Sequence, residues 1–221
     1  MKEKKHDINI DNLPQSLAVF PLEGGLLLPR GQLPLNIFEP IYLQLVEDVF
    51  GRGRYMGIIQ PSFDKDDGLQ QIGCLGRITS FTQSDDERFL INVTGIARFR
   101  VGKMLEVTTP YLQLQPDYRP FSDDLIADVG AIDVNRDGLI EVLRNYLDRN
   151  GMSADWEAIE QSGNEALVNS LSMISPYGPQ EKQALLEAES LAQRAEILIA
   201  LTEMVLADMA RAAGSNDNRL Q

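Results

Sequence analysis

The chain has 221 residues, of which 43% are hydrophobic and 24% charged, a composition that excludes a disordered protein and suits one large or two small domains. Its formal net charge of −13 argues against a nucleic-acid partner, because phosphate binding requires concentrated positive charge. No apolar run approaches the roughly 20 residues of a membrane helix, and no apolar segment follows the lysine-rich start, so the sequence predicts a cytoplasmic protein.

The first half of the chain alternates apolar and polar residues, which is typical of β-strands. Strands are predicted at 17–22, 32–37, 54–61, 71–81, 88–101 and 105–116. Pro34 falls on the outer face of its segment, which favours an edge strand because proline cannot donate to a central ladder. Between the second and third strands, Ile41, Leu45, Val46 and Val49 recur at helical spacing, and a short amphipathic helix is expected from Pro40 to Gly51. Short strands joined at Gly and Pro predict an antiparallel β-barrel that is closed or half closed.

After Pro120 the apolar residues recur with a helical period of 3.6. Helices are predicted at 134–151, 153–161 with Ser153 as N-cap, 164–175, 179–188 and 190–212. Residues 1–118 hold 12 basic and 15 acidic side chains, whereas 119–221 hold 8 and 18, which indicates a boundary near 116–120. The sequence therefore predicts an α+β chain with a polar tail (1–16), a barrel domain (17–118), a helical bundle (119–212) and a flexible tail (213–221).

Residues that could perform chemistry are few. The single histidine, His6, lies in the tail and is expected to be solvated, and the single cysteine, Cys74, is predicted to be a small buried hydrophobe. A calcium-like loop begins at Asp133, but Arg144 occupies the twelfth position, where the ion needs a glutamate, so Asp137 is interpreted as a residue of a helix start.

No phosphate-binding GK[ST] motif and no G-x-S-x-G motif occurs. A Ser–Lys dyad from Lys103 or Lys182 stays open. Acid pairs such as Asp66/Asp67, Asp85/Asp86 and Asp123/Asp124 lie in turn-like segments and are expected to be solvated. We therefore expect no catalytic residue, no metal site and no cofactor.

Arg98 and Arg100 alternate with apolar residues and share one face of the fifth strand. A solvated sheet face is the expected interpretation. The alternative is a contact with a carboxylate or a docking contact between domains.

The order F-P-L, L-P-R-G and L-P-L-x-I-F-E-P-x-Y between Phe20 and Tyr42, followed by Gly-Ile-Ala-Arg-Phe at 95–99, resembles the amino-terminal substrate-binding domain of the Lon ATP-dependent proteases. The resemblance covers 17–114 most strongly and implies a PUA-like pseudo-barrel joined to a helical bundle. No ATPase loop and no Ser-Lys protease segment is present, so the chain looks like a free-standing domain of this type. The resemblance then implies binding and not peptide hydrolysis.

The hypothesis from these observations is a non-enzymatic module that captures exposed apolar segments of polypeptides, or a partner protease. Proline-interrupted leucines in an irregular loop leave some apolar surface accessible in this interpretation. The candidate peptide-binding residues are Leu26, Leu27, Leu28, Phe38 and Tyr42.

Two alternatives stay open. One is a small-molecule hydrolase that uses carboxylates in a cleft between barrel and bundle, which would require a buried acid pair. The other is RNA binding by analogy with PUA-like folds, which the negative charge disfavours.

Overall fold

The computed structural model describes residues 9–64, 68–84 and 88–217, with side chains given as far as residue 212. The expectations for His6, for the pairs Asp66/Asp67 and Asp85/Asp86, and for residues 218–221 lie outside the described residues.

Six strands form one sheet. They are β1 (Leu17–Pro21), β2 (Gln32–Ile37), β3 (Tyr55–Ile59), β4 (Ile72–Gln83), β5 (Phe89–Met104) and β6 (Gln113–Asp117). The strand order is β2-β5-β4-β3-β1-β6, and β6 also pairs with β5, so the sheet curls back on itself. This confirms the barrel-like first half. The expectation of purely antiparallel pairing is wrong for β1 and β3, which run parallel because β2 and a helix carry the chain across between them.

Strand β2 lies at the edge of the sheet, as its proline predicts. It pairs only with β5 among the named strands, with Pro34 opposite Asn92, and Pro34 is exposed. Because proline lacks an N–H group, the outer edge of β2 has an incomplete set of donors for a further strand. The last predicted strand is shorter than expected, since only Gln113–Asp117 forms a strand in the segment that begins at residue 105.

The helices follow the predicted pattern closely. They are α1 (Pro40–Phe50), α2 (Arg136–Arg149), α3 (Trp156–Gln161), α4 (Asn164–Ile174), α5 (Pro179–Glu187) and α6 (Leu191–Asp217), with 3₁₀ segments at Ile10–Asn12, Arg119–Leu125 and Ala131–Asp133. The predicted cap of α3 is wrong: Asp155 accepts the hydrogen bond from Ala158 N at 3.0 Å. Helix α6 continues to Asp217, five residues into the segment predicted as a flexible tail. No helix in the described parts of the chain is both long and apolar enough to cross a membrane.

The chain divides into two compact units. The first comprises Met1–Ala127 and Pro176–Leu186, and the second comprises Asp128–Ser175 and Glu187–Gln221. The predicted boundary near 116–120 falls inside the first unit, because the 3₁₀ segment Arg119–Leu125 packs against β5. Most of α5, predicted to belong to the helical bundle, also lies in the first unit.

Each unit has its own buried contacts. The centre of the first consists of apolar side chains from β1, β3, β4, β5 and β6: Leu17, Val19, Ile59, Leu75, Phe99 and Leu114. In the second unit, a buried hydrogen bond of 2.8 Å joins Arg194 of α6 to Asn169 of α4. Arg136 of α2 donates to Asn164 Oδ1 and to the carbonyl of Ile159, so one guanidinium ties α2 to α3 and α4.

Candidate functional site

The leucine loop, which we define as residues 25–31 between β1 and β2, packs against the sheet. Leu26, Leu27 and Leu28 are at most 2% exposed, so the expectation of accessible apolar surface there is wrong. The backbone explains the burial: Arg30 N donates to Gly95 O at 2.8 Å, and Gly95 N donates to Gly31 O at 2.9 Å. The loop is thereby paired with β5, and its leucines point into the barrel as core residues.

Glycines in β4 and β5 make room for this loop. A Cβ atom at Gly95 would overlap the carbonyl oxygen of Leu28, and one at Gly76 would lie 2.9 Å from Cδ2 of Leu27. Glycine inside a strand often marks a close approach of another backbone. Gly76 and Gly95 were thus the sequence signal for a buried loop.

The exposed apolar surface lies where β2 leads into α1. Phe38 is 60% exposed and Ile41 is 44% exposed, while Tyr42 is half-buried with its ring centroid 4.5 Å from that of Phe20. Burial, and next the charge of Glu39, raise the pKa of the Tyr42 phenol. We call Phe38, Ile41 and Tyr42 the α1 entry patch.

The helical pattern predicts Ile41 as part of the buried side of α1, and this prediction is wrong. Leu45, Val46 and Val49 of the predicted stripe are buried, whereas Ile41 in the first turn of α1 faces solvent. The period of 3.6 identifies the apolar side of a helix but does not say how far along that side the sheet reaches.

Arg98 binds a carboxylate inside the first unit. Its Nε and Nη2 donate to Oδ2 and Oδ1 of Asp124 at 2.9 Å, and its backbone N donates to Oδ2 at 2.9 Å. Nη1 donates to Leu186 O at 3.1 Å, and the guanidinium lies 4.6 Å from the ring centroid of Phe121. The solvated-face interpretation is wrong for Arg98, because the segment Arg119–Leu125 covers it, and Asp124 is likewise buried and not solvated.

Arg100 lies two residues further along β5 and is exposed, opposite Asp117 of β6. Hydrogen bonds from Arg119 are the main cause that lowers the pKa of Asp117, and the charge of Arg100 adds a smaller contribution. The two arginines of this strand therefore have different surroundings despite their shared face.

The groups considered for chemistry belong to different elements: Cys74 to β4, Lys103 to β5 and Lys182 to α5. Cys74 is fully buried in β4, which confirms it as a small core residue. Lys103 is exposed, and burial lowers the pKa of Lys182 in α5. Within the described residues no three His, Cys, Asp or Glu side chains cluster as metal ligands, and Asp124 is the only buried acid.

The calcium-like loop is the start of α2. Asn135 caps the helix by accepting from Gly138 N at 3.1 Å, and Asp137 lies in the first turn, as predicted. Arg144, at the position where a calcium ligand would stand, lies 4.2 Å from the ring centroid of Trp156. These residues serve helix capping and side-chain packing within the second unit.

Comparisons with known proteins agree on one family. A family model described as the ATP-dependent protease La (LON) substrate-binding domain matches residues 16–203. The chain is 26% identical over 204 residues to Lon protease 2 of Myxococcus xanthus, covering 88% of this chain and 24% of that protein. It is 30% identical over 117 residues to the Lon protease of Desulfosudis oleivorans, covering 50% of this chain and 14% of that protein. The chain thus spans at most about a quarter of the length of these relatives.

Two solved structures share the fold. A Lon N-terminal domain protein from Xanthomonas campestris matches with a TM-score of 0.60 and 21% identity, over 84% of this chain and 97% of that one. The N-terminal domain of a Mycobacterium avium complex Lon protease matches with a TM-score of 0.65 and 17% identity, over 85% of this chain and 98% of that one. At these identities the likeness supports the fold alone.

Proposed function

Because the chain belongs to the family of Lon substrate-binding domains, we propose that it is a non-enzymatic module that binds exposed apolar segments of polypeptides through the α1 entry patch. The observation that carries this proposal is the exposure of Phe38 and Ile41 on either side of Pro40, at the first turn of α1. Exposed large apolar side chains that occur close together in the chain are candidates for an interaction surface.

The patch is held in place by its surroundings. Pro40 fixes the start of α1, and Tyr42 rests on the buried ring of Phe20. A partner segment therefore meets side chains that are already positioned, which reduces the entropy lost on binding.

The expected affinity is weak. Full burial of an apolar side chain contributes about 1.5–3 kcal/mol, and ordering of the bound segment offsets part of the contribution from two or three such side chains. Weak binding through a few apolar side chains suits the capture of varied unfolded segments, which is the substrate class we propose.

The test is binding of a short, uncharged, leucine-rich peptide with blocked termini, measured by fluorescence anisotropy. A Phe38→Ser, Ile41→Ser double variant should bind at least tenfold more weakly than the wild type. Ile132→Ser is the matched control, since Ile132 is 93% exposed and belongs to the second unit. Equal binding by the double variant would refute the assigned surface, and a wild type that binds no peptide would refute the function.

A further inference from the structure

A concave surface lies on the first unit, between the leucine loop, the β4–β5 pair and the 3₁₀ segment Arg119–Leu125. It is open to solvent, has a volume of about 370 Å³ and is lined chiefly by Arg30, Tyr55, Arg77, Thr94, Ile96 and Leu125. We call it the bulge pocket. Its volume is at the small end of the range for ligand pockets, about 300–1,000 Å³, which suits a few side chains.

Two β-bulges shape this pocket. The register of β4 and β5 passes from Leu75↔Ala97 to Gly76↔Gly95, which leaves Ile96 as an extra residue. Further along, the pair Ile78↔Val93 is followed by Ser80↔Asn92, which leaves Thr79 of β4 as an extra residue. Ile96 and Thr79 both line the pocket. Bulges re-aim side chains and are frequent beside functional sites.

The rim of the pocket is positively charged in a chain whose net charge is −13. Arg77 is exposed in β4, stands opposite Thr94 and Tyr55, and lies 5.8 Å from the ring centroid of Tyr55. In the described part of the chain no carboxylate forms an ion pair with Arg77. Its planar guanidinium therefore offers a bidentate site for a carboxylate.

A second guanidinium is fixed at the same rim by the backbone. Arg30 adopts a left-handed conformation with φ 64°, and its Nη1 donates to Asp124 O at 2.6 Å. Both carboxylate oxygens of Asp124 accept hydrogen bonds from Arg98, so the negative charge of the one acid in the lining is already neutralised. The pocket thus combines positive charge with the apolar walls of Ile96 and Leu125.

We propose that the bulge pocket binds the carboxylate of an acidic side chain flanked by apolar residues in an extended polypeptide segment. This inference rests on the proposed function, since it specifies which segments the module prefers. Arg30 precedes β2 and Phe38 follows it, so the two Cα atoms are at most about 29 Å apart. A segment of about nine extended residues is therefore long enough to span this distance.

The test compares two blocked peptides that differ only in one Glu or Gln within an apolar sequence of that length. The wild type should bind the Glu peptide about tenfold more tightly, and the preference should shrink as salt is added. Arg77→Gln should reduce the preference to twofold or less, and Arg77→Lys should retain part of it. Arg100→Gln removes the same charge from an exposed site outside the pocket and should keep the full preference.

Each other result overturns the inference. Equal affinity of the wild type for both peptides refutes it and leaves the proposed function intact, whereas no binding of either peptide refutes both. A preference that survives Arg77→Gln places the carboxylate elsewhere. The Gln peptide is also measured with a free carboxyl terminus. If this peptide gains the same Arg77-dependent affinity, the pocket binds the carboxylate of chain ends and not that of acidic side chains.

Discussion

Arg98 of β5 and Asp124 of the 3₁₀ segment form a buried bidentate ion pair, with both side-chain N–O distances at 2.9 Å. The same guanidinium reaches Leu186 O in α5. One side chain thereby holds three separate stretches of the chain together within the first unit.

Removing the carboxylate should destabilise the protein strongly. Asp124→Ala leaves a buried guanidinium without its counter-ion, which costs about 3–5 kcal/mol in the free energy of unfolding. Urea denaturation measures the difference. Arg119→Ala breaks the exposed pair with Asp117 and should change stability little, because solvent screens that pair. A loss for Asp124→Ala no larger than for Arg119→Ala would contradict the structural role of the buried pair.

The contact between Gly95 and the leucine loop gives a second prediction. In Gly95→Ala the new methyl group overlaps the carbonyl oxygen of Leu28. The backbone must shift to relieve this overlap, which should lower the free energy of unfolding by about 1–3 kcal/mol. Denaturation should show this loss, and a dye that binds exposed apolar surface should fluoresce more strongly. Gly51→Ala is the control, since a Cβ there meets no described atom within 4 Å and φ is −77°. If the two variants were equally stable, the loop would not lie on β5 as described.

A network of buried amides attaches α5 to the barrel. Gln60 Nε2 donates to Pro179 O and to Gln183 Oε1 at 2.9 and 3.1 Å, while Gln183 Nε2 donates to Ile72 O at 3.1 Å. Gln183→Leu leaves buried partners unsatisfied and should cost about 1–3 kcal/mol. Hydrogen exchange should be faster in residues 176–186.

Gln180→Leu on the same helix is the matched control, because Gln180 is exposed. Unchanged hydrogen exchange in Gln183→Leu would show that these amides do not hold α5 to the first unit.

Tyr111 gives a prediction for alkaline pH. Its hydroxyl donates to Asp48 Oδ2 at 2.5 Å, and burial, followed by this hydrogen bond and the charge of Asp48, raises the pKa of Tyr111 to about 12. The pKa of a phenol in the unfolded chain is about 10, so folding favours the neutral form. This contribution to stability is complete below about pH 10 and is lost as the pH rises through the folded pKa of about 12.

Urea denaturation of the wild type and of Tyr111→Phe at several values between pH 8 and pH 12 measures that contribution. The wild type should be more stable by about 1 kcal/mol at pH 8, and the difference should shrink above pH 10. A difference that stays constant to pH 12 would mean that folding does not favour the neutral phenol of Tyr111.

Elements with local causes could be predicted from the amino-acid sequence. The alternation in QLPLNI gave the bounds of β2, and its proline predicted an edge strand, because a missing N–H group excludes a central position. Pro40 and Gly51 bracket α1 as their backbone preferences require. The spacing of leucines, prolines and aromatic residues was enough to indicate the family.

Which residues face solvent, and which contact each other, depends on how distant parts of the chain pack together. Leu28 and Gly95, Arg98 and Asp124, and Gln60 and Gln183 are partners far apart in the chain. The local sequence pattern shows that a residue is apolar or charged, but its burial depends on which other parts of the chain pack against it. For that reason the leucine loop is buried in the core and Arg98 forms an internal ion pair, whereas Phe38 and Ile41 are exposed.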